Sequence, residues 1–143
     1  MRIPILILAV TLVIIGAVSF AQRLTVTAST ANIRSGPGTN YEVLWQVEKF
    51  HPLWIIKKVD NWYHFRDFEG DVGWIHHSLV SDIPSVITKN EICNIRSGPG
   101  TDYKILFTVE KGIPFRVLQR KAKWVYIQHA DGDKGWIHDS LLW

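Results

Sequence analysis

One eight-residue string occurs twice in this chain, letter for letter. Asn32-Ile33-Arg34-Ser35-Gly36-Pro37-Gly38-Thr39 returns 62 residues later as Asn94-Ile95-Arg96-Ser97-Gly98-Pro99-Gly100-Thr101. The same offset, with no gap, carries Tyr41 to Tyr103, Pro52 to Pro114, Trp62 to Trp124, and Gly73-Trp74-Ile75-His76 to Gly135-Trp136-Ile137-His138. Between 32–80 and 94–142, 23 of 49 positions are identical. Self-similarity of that kind means two copies of one structural unit, and the predicted units are 22–81 and 82–143.

Each copy is short, rich in turn residues, and built from apolar runs of Val, Ile, Trp, Tyr and Phe, which is strand composition. Strands are expected near 24–31, 43–48, 53–59, 62–66 and 72–75, and again near 86–93, 105–110, 115–121, 124–128 and 134–137. Turns are expected at Gly36-Pro37-Gly38, at Asp60-Asn61, around Gly70, and at Asp131-Gly132-Asp133. In the Gly-Pro-Gly segments a type II turn is expected, with proline at its second position and a left-handed glycine, Gly38 or Gly100, at its third. The predicted fold is all-β: two tandem small barrels. The connection at 81–84 is short, so the barrels should touch.

The first 21 residues read differently. Arg2 is the single charge ahead of an apolar or small stretch from Ile3 to Phe20 that closes on Ser19-Phe20-Ala21, a small-x-small cleavage pattern. An export signal cut after Ala21 is expected, giving a periplasmic or extracellular protein. Eighteen residues also lie at the lower edge of spanning length, so an uncleaved inner-membrane anchor is the alternative, and the membrane would then be met only through that segment.

Formal net charge is +3, with acids and bases interspersed. No nucleic-acid partner is implied. The single cysteine, Cys93, has no disulfide partner in the chain and aligns with Ala31, which suggests a small buried filler. Gly-x-Ser-x-Gly is absent, the histidines lack ligand-like spacing, and the turn carboxylates Asp67, Glu69 and Asp71 suit local backbone capping. No catalytic residue, metal site or cofactor is expected.

The repeated string, a tyrosine two residues on, a Trp opening a later strand and a closing Gly-Trp-Ile with Ser-Leu resemble the bacterial SH3 domain family. Trp62, Arg66-Asp67, Glu69-Gly70 and Gly73-Trp74-Ile75-His76 look like the branch frequent in alphaproteobacterial envelopes. The second copy departs from it with Gln128-His129-Ala130-Asp131 and a denser cluster of bases. The resemblance implies a β-barrel that binds peptides, often those of the cell wall, usually as accessory to a hydrolase.

Within that frame, Asn32, Arg34, Gly36, Pro37, Gly38, Gly73 and Trp74, with Asn94, Arg96, Gly98, Pro99, Gly100, Gly135 and Trp136, read mainly as structural. Asn32, Arg34, Asn94 and Arg96 are expected to bond loop carbonyls, and direct ligand contact is their alternative role. Candidate ligand contacts are Trp62 and Trp124, Tyr41 and Tyr103, Trp54, and its counterpart Arg116. Trp54 alternates outward between Leu53 and Ile55, so it serves either as a binding anchor or as a seal between barrels. Residues 94–142 carry eight bases against five acids, with Arg116, Arg120, Lys121 and Lys123 on one strand and its turn. The expected partner is a cell-wall peptide or a segment of an envelope protein. An assembly role without wall binding is the alternative. Oligomeric state is not legible.

Overall fold

A computed structural model describes residues 22–143; the expected export signal lies outside the described residues. Alternation sets the architecture. In the strand Val72–His76, Gly73 and Ile75 are buried while Val72, Trp74 and His76 are not, so one sheet face packs and the other meets water.

The first sheet is formed by β1 (Gln22–Val26), β2 (Thr30–Arg34), β3 (Val43–Glu48), β4 (Pro52–Val59), β5 (Trp62–Arg66), β6 (Val72–His76) and the short β7 (Val80–Ser81). Their spatial order is β3-β2-β6-β5-β4-β1-β7. The second sheet uses β8 (Ser85–Ile87), β9 (Cys93–Arg96), β10 (Ile105–Val109), β11 (Pro114–Lys121), β12 (Trp124–Gln128) and β13 (Lys134–His138), in the order β10-β9-β13-β12-β11-β8. A single 3-10 turn follows the last long strand of each (His77–Leu79 and Asp139–Leu141). The protein is therefore all-β, with two tandem small barrels of one topology.

Each barrel has its own core. Ile33, Leu53, Ile55, Phe65 and Ile75 are fully buried in the first; Ile95, Phe115, Ile127 and Ile137 are fully buried in the second. Each such side chain contributes about 1.5–3 kcal/mol relative to exposure. Cys93 is buried in the second core.

Two sequence expectations need correction. The runs 24–31 and 86–93 are not single strands. β1 pairs with β4 and β7, whereas β2 pairs with β3 and β6, so the chain changes partners between them and the ladder is broken at 27–29. An apolar alternation continuous through Thr27-Ala28-Ser29 concealed the break, and Asn32-Ile33-Arg34 belongs to β2 rather than following a strand.

The Gly-Pro-Gly segment is not a type II turn either, because neither Gly36 nor Gly38, nor their counterparts Gly98 and Gly100, lies in the left-handed region. Instead Gly38 N–H donates to Gly36 O at 2.9 Å, a three-residue turn centred on Pro37, and Gly100 N–H does the same to Gly98 O. Glycine is required at 36 for closeness: a Cβ there would lie 2.3 Å from the Tyr41 ring.

The barrels meet through a polar, bonded junction. Thr25 Oγ1 donates to Ile83 O at 2.6 Å and lies 2.6 Å from Ser85 Oγ, with both side chains buried. The Arg23 guanidinium donates to Trp143 O at 2.8 Å and Ser85 O at 3.2 Å, and rests 4.3 Å above the Trp143 ring. Burial, and secondarily Arg120, lowers the Arg23 pKa.

Candidate functional site

The outward face of β5 and β6 carries an aromatic ladder. Trp62 stands edge-on to its cross-strand partner His76 at 5.2 Å, and His64 stacks on its partner Trp74 at 4.5 Å. The second barrel repeats this with Trp124 on His138 at 5.2 Å and Tyr126 on Trp136 at 5.0 Å. Cross-strand pairs of this kind are the unit of sheet stabilisation. Trp74 and Trp136 thus pack on the outer face rather than in the barrel interior, since Gly73 and Ile75 take the inward positions of β6, and Gly135 and Ile137 those of β13.

His76 Nδ1 accepts the Ser78 N–H at 3.3 Å and lies 2.7 Å from Ser78 Oγ, capping the 3-10 turn; His138 does the same with Ser140. Burial, and secondarily Lys57, lowers the His64 pKa.

Beside this ladder lies a cleft of about 490 Å³. Trp62 and His76 form one wall, while Asn32, Arg34, Thr30 and Gln46 form the other. Arg34 Nη1 donates to Thr39 O at 3.1 Å and Tyr41 O at 3.0 Å, bracing the Gly-Pro-Gly loop; Arg96 braces its loop through Thr101 O and Tyr103 O. Asn32 does not bond a loop carbonyl. Its Oδ1 accepts from Gln46 Nε2 at 2.7 Å, because β2 and β3 place the two opposite each other, and the counterpart of Gln46 is Thr108.

Tyr41 and Tyr103 are exposed rings laid over their loop glycines, next to the exposed apolar pairs Val43-Leu44 and Ile105-Leu106. Trp54 is 43% exposed and lines a small cleft of about 350 Å³ with Phe68 and Trp143. Arg116 is exposed and its guanidinium lies 5.9 Å from the Phe50 ring. Both positions therefore border the junction, each against a residue of the other barrel.

A second pair of clefts was not anticipated. One, of about 550 Å³, lies between β3 and the β5–β6 turn and is edged by Glu48, Asp67, Glu69 and Asp71, with Trp45 and Phe68 as apolar walls. The other, also about 550 Å³, occupies the matching place in the second barrel, edged by Glu91, Glu110, Asp131 and Asp133 with Phe107 and Phe115. Asp67 Oδ1 accepts the N–H groups of Glu69 and Asp71 at 3.0 and 2.9 Å, and burial raises its pKa against those bonds. At the equivalent position His129 receives the Asp131 N–H, while Asp131 Oδ1 takes the Asp133 N–H, which lowers the Asp131 pKa.

His51 lines the first cleft. Its Nε2 is buried without a hydrogen-bond partner, and burial lowers its pKa to about 4. A sequence signal for these clefts existed: the offset of 62 sets Glu48 on Glu110, Glu69 on Asp131 and Asp71 on Asp133. Turn chemistry explains the acids of the β5–β6 turn singly, and hides the fact that Glu48 and Glu110 share their placement.

Nucleophilic chemistry has little to work with. The Cys93 thiol is buried, donates to Asn90 O at 3.4 Å, and has its pKa raised by burial. Among the described residues, no three His, Cys, Asp or Glu side chains are grouped to hold an ion, and no helix is long and apolar enough to cross a membrane.

Fold and clefts together define a protein of two tandem small β-barrels, each with an aromatic ladder and an acidic cleft on its surface. The bacterial SH3 domain family is matched twice, over 27–82 and 89–143, and the chain belongs to that family. It is similar to YrvJ of Bacillus subtilis strain 168, by name an N-acetylmuramoyl-L-alanine amidase, with 25% identity over 88% of this chain and 26% of that protein. It is also similar to LytH of Staphylococcus epidermidis, by name a cell wall amidase, with 40% identity over 42% of this chain and 21% of that one. The chain thus spans about a quarter of the length of these relatives. The solved structure of NlpC2 from Trichomonas vaginalis aligns over 85% of this chain and 47% of its own, at 16% identity and a TM-score of 0.38.

Proposed function

We propose that this is an exported, non-catalytic binding protein that takes a cell-wall peptide in the clefts of its two barrels. Residues 22–81 and 82–143 act as the binding units, and 1–21 act as the export signal or a retained anchor. The observation that carries the proposal is the Trp62 cleft. An indole, a histidine and an arginine-braced loop are assembled around open space, and the second barrel repeats the Trp, His and Arg geometry with distances that agree within about 0.1 Å. A half-exposed indole bordered by a few fixed polar groups is the ordinary chemistry of a peptide site. Similarity to one protein named as an N-acetylmuramoyl-L-alanine amidase and one named as a cell wall amidase, over only about a quarter of their length, supports the wall as the source of that peptide.

The test is cosedimentation of the chain with cell-wall sacculi stripped of protein. Retention is expected, and Trp62→Ala with Trp124→Ala should reduce it by at least about tenfold, the scale of a truncated aromatic anchor. Release of soluble fragments from labelled sacculi would overturn the non-catalytic part. The exposed Trp54 beside Trp143 favours a second reading, docking onto an envelope complex through that face. Absence of retention on sacculi, together with Trp54-dependent capture of an envelope protein, would establish it instead.

A further inference from the structure

We infer that the two acidic clefts form one continuous track for a peptide bearing free primary amines, whose ammonium groups seat against the carboxylates of each barrel. The inference rests on the wall-peptide reading and names the chemistry that reading leaves open: the free side-chain amines of wall peptides.

Charge segregation is the first support. The chain has a formal net charge of +3, yet eight of its 13 acidic residues edge these two clefts. Among the described residues, neither cleft is lined by a lysine or arginine. Turn capping accounts for Asp67 and Asp131, whose carboxylates receive backbone N–H groups. It does not account for Glu48, Glu91 and Glu110, which lie outside the β5–β6 and β12–β13 turns. A concave surface of one sign raises the local concentration of the opposite ion.

His51 supplies an independent pointer. It is 8% exposed, it lines the first cleft, and its Nε2 has no partner. A buried nitrogen left unpaired is destabilising, and a polar ligand atom in the cleft would complete it. Its counterpart in the second barrel is Ile113, so the orphaned nitrogen is an addition to the first barrel alone.

The walls and the layout fix the class of ligand. Trp45 and Phe68 in one cleft, and Phe107 in the other, set partly exposed aromatic surface beside carboxylate, an environment that suits an ammonium on a hydrocarbon stem. The carboxylates are spread along the clefts rather than grouped to chelate, so they fit several separated charges better than one ion.

Continuity comes from the junction. Glu48 of the first cleft lies 3.6 Å from His129 of the second, and Gly112 of the second barrel lines the first cleft. Thr30 and Gln46 line both the first acidic cleft and the Trp62 cleft, so the track opens onto the aromatic site.

The deciding experiment measures binding of the whole chain to protein-free sacculi before and after N-acetylation with acetic anhydride, which neutralises amines and spares the glycan and the carboxylates. Acetylation should weaken binding at least about tenfold, the loss of roughly one charge-assisted contact. A variant combining Glu48→Gln, Glu69→Gln, Glu91→Gln and Glu110→Gln should be weakened to a similar degree, while Glu42→Gln with Asp102→Asn should bind as the parent does.

Equal binding to native and acetylated sacculi would overturn the amine track and leave wall binding standing. No binding to either would overturn both. Capture on poly-lysine beads without sacculus binding would assign the clefts to a lysine-rich protein and overturn the inference. Should the fourfold variant fail to fold by circular dichroism, the acetylation arm still decides, because it uses the unaltered chain.

Discussion

The first barrel carries Phe65 where the second carries Ile127, and Leu53 where the second carries Phe115. One phenyl ring has moved from β5 in one copy to β11 in the other, and the total core volume hardly changes. Volume-conserving exchange is the change a packed core tolerates best. The same pairwise comparison isolates three places where the barrels solve one problem differently: His51 against Ile113, Phe50 against Gly112, and Asp60 against Ala122. In each pair one barrel holds the costlier residue, so swapping residues between copies turns the duplication into a controlled experiment.

The largest effect is expected at His51. Its folded pKa of about 4 lies below the ordinary imidazole value of 6.5. Above pH 6.5 both folded and unfolded forms are neutral there. As pH falls from 6.5 toward 4 the unfolded form takes up the proton and the folded form does not, so stability drops, by up to about 3 kcal/mol. Asp67, with its pKa raised, acts in the opposite sense at the acid end. Urea titrations at pH 7 and pH 4.5 should show His51→Ile far less acid-sensitive than the parent. Equal sensitivity would mean His51 is not held neutral by burial.

The core exchange comes next. Phe65→Ile alone should cost about 2 kcal/mol by leaving a partial cavity, and Leu53→Phe alone about 1–3 kcal/mol by overpacking. Together they recreate the packing of the second barrel and should cost much less than their sum. A double-mutant cycle on urea midpoints measures the coupling. Additive costs would show that the two rings occupy unrelated spaces.

Phe50 sits at φ 72, where its counterpart Gly112 has φ 85. A bulky residue in the left-handed region costs about 1–2 kcal/mol, yet the ring is buried at the junction, near the Arg116 guanidinium. Burial of that ring offsets the strain. Phe50→Gly loses the ring and relieves the backbone; Phe50→Ala loses the ring and keeps the strain. The alanine variant should therefore be less stable than the glycine variant by about 1 kcal/mol, and the reverse order would show the backbone is relaxed there.

Strands were legible where runs of Val, Ile, Trp, Tyr and Phe lie between turn signals: 43–48, 62–66 and 124–128 in the sequence are the observed β3, β5 and β12. The split of 24–31 was not legible, because the break in pairing at Thr27-Ala28-Ser29 has no proline or glycine to mark it. The Gly-Pro-Gly turn was misassigned for a related reason. Its glycines answer to a ring three or five positions away, Tyr41 over Gly38 and Gly36, and not to their own dihedral angles. Trp54 could be placed on an outward face, since it alternates between Leu53 and Ile55 and its counterpart is Arg116. The acidic clefts could not be read one residue at a time, since their carboxylates come from separate strands and turns and only the fold gathers them. The junction was equally hidden, as nothing in the letters joins Arg23 to Trp143 across 120 positions.

The smallest effect lies in the two-residue hairpin loops. Asp60-Asn61 joins β4 to β5 and Ala122-Lys123 joins β11 to β12, and the first residue of each is left-handed, at φ 51 for Asp60 and 52 for Ala122. Aspartate tolerates that region because its short carboxylate bonds the local backbone, whereas the alanine Cβ meets the steric cost with nothing to compensate. Ala122→Asp should therefore stabilise the second barrel by about 0.5–1 kcal/mol, and Asp60→Ala should destabilise the first by a similar amount. The new carboxylate would also stand between Lys121 and Lys123, so part of any gain could be charge. Repeating the urea midpoints in high salt separates the two: a gain that persists belongs to the backbone, and one that vanishes shows that aspartate holds no backbone advantage over alanine at this left-handed position.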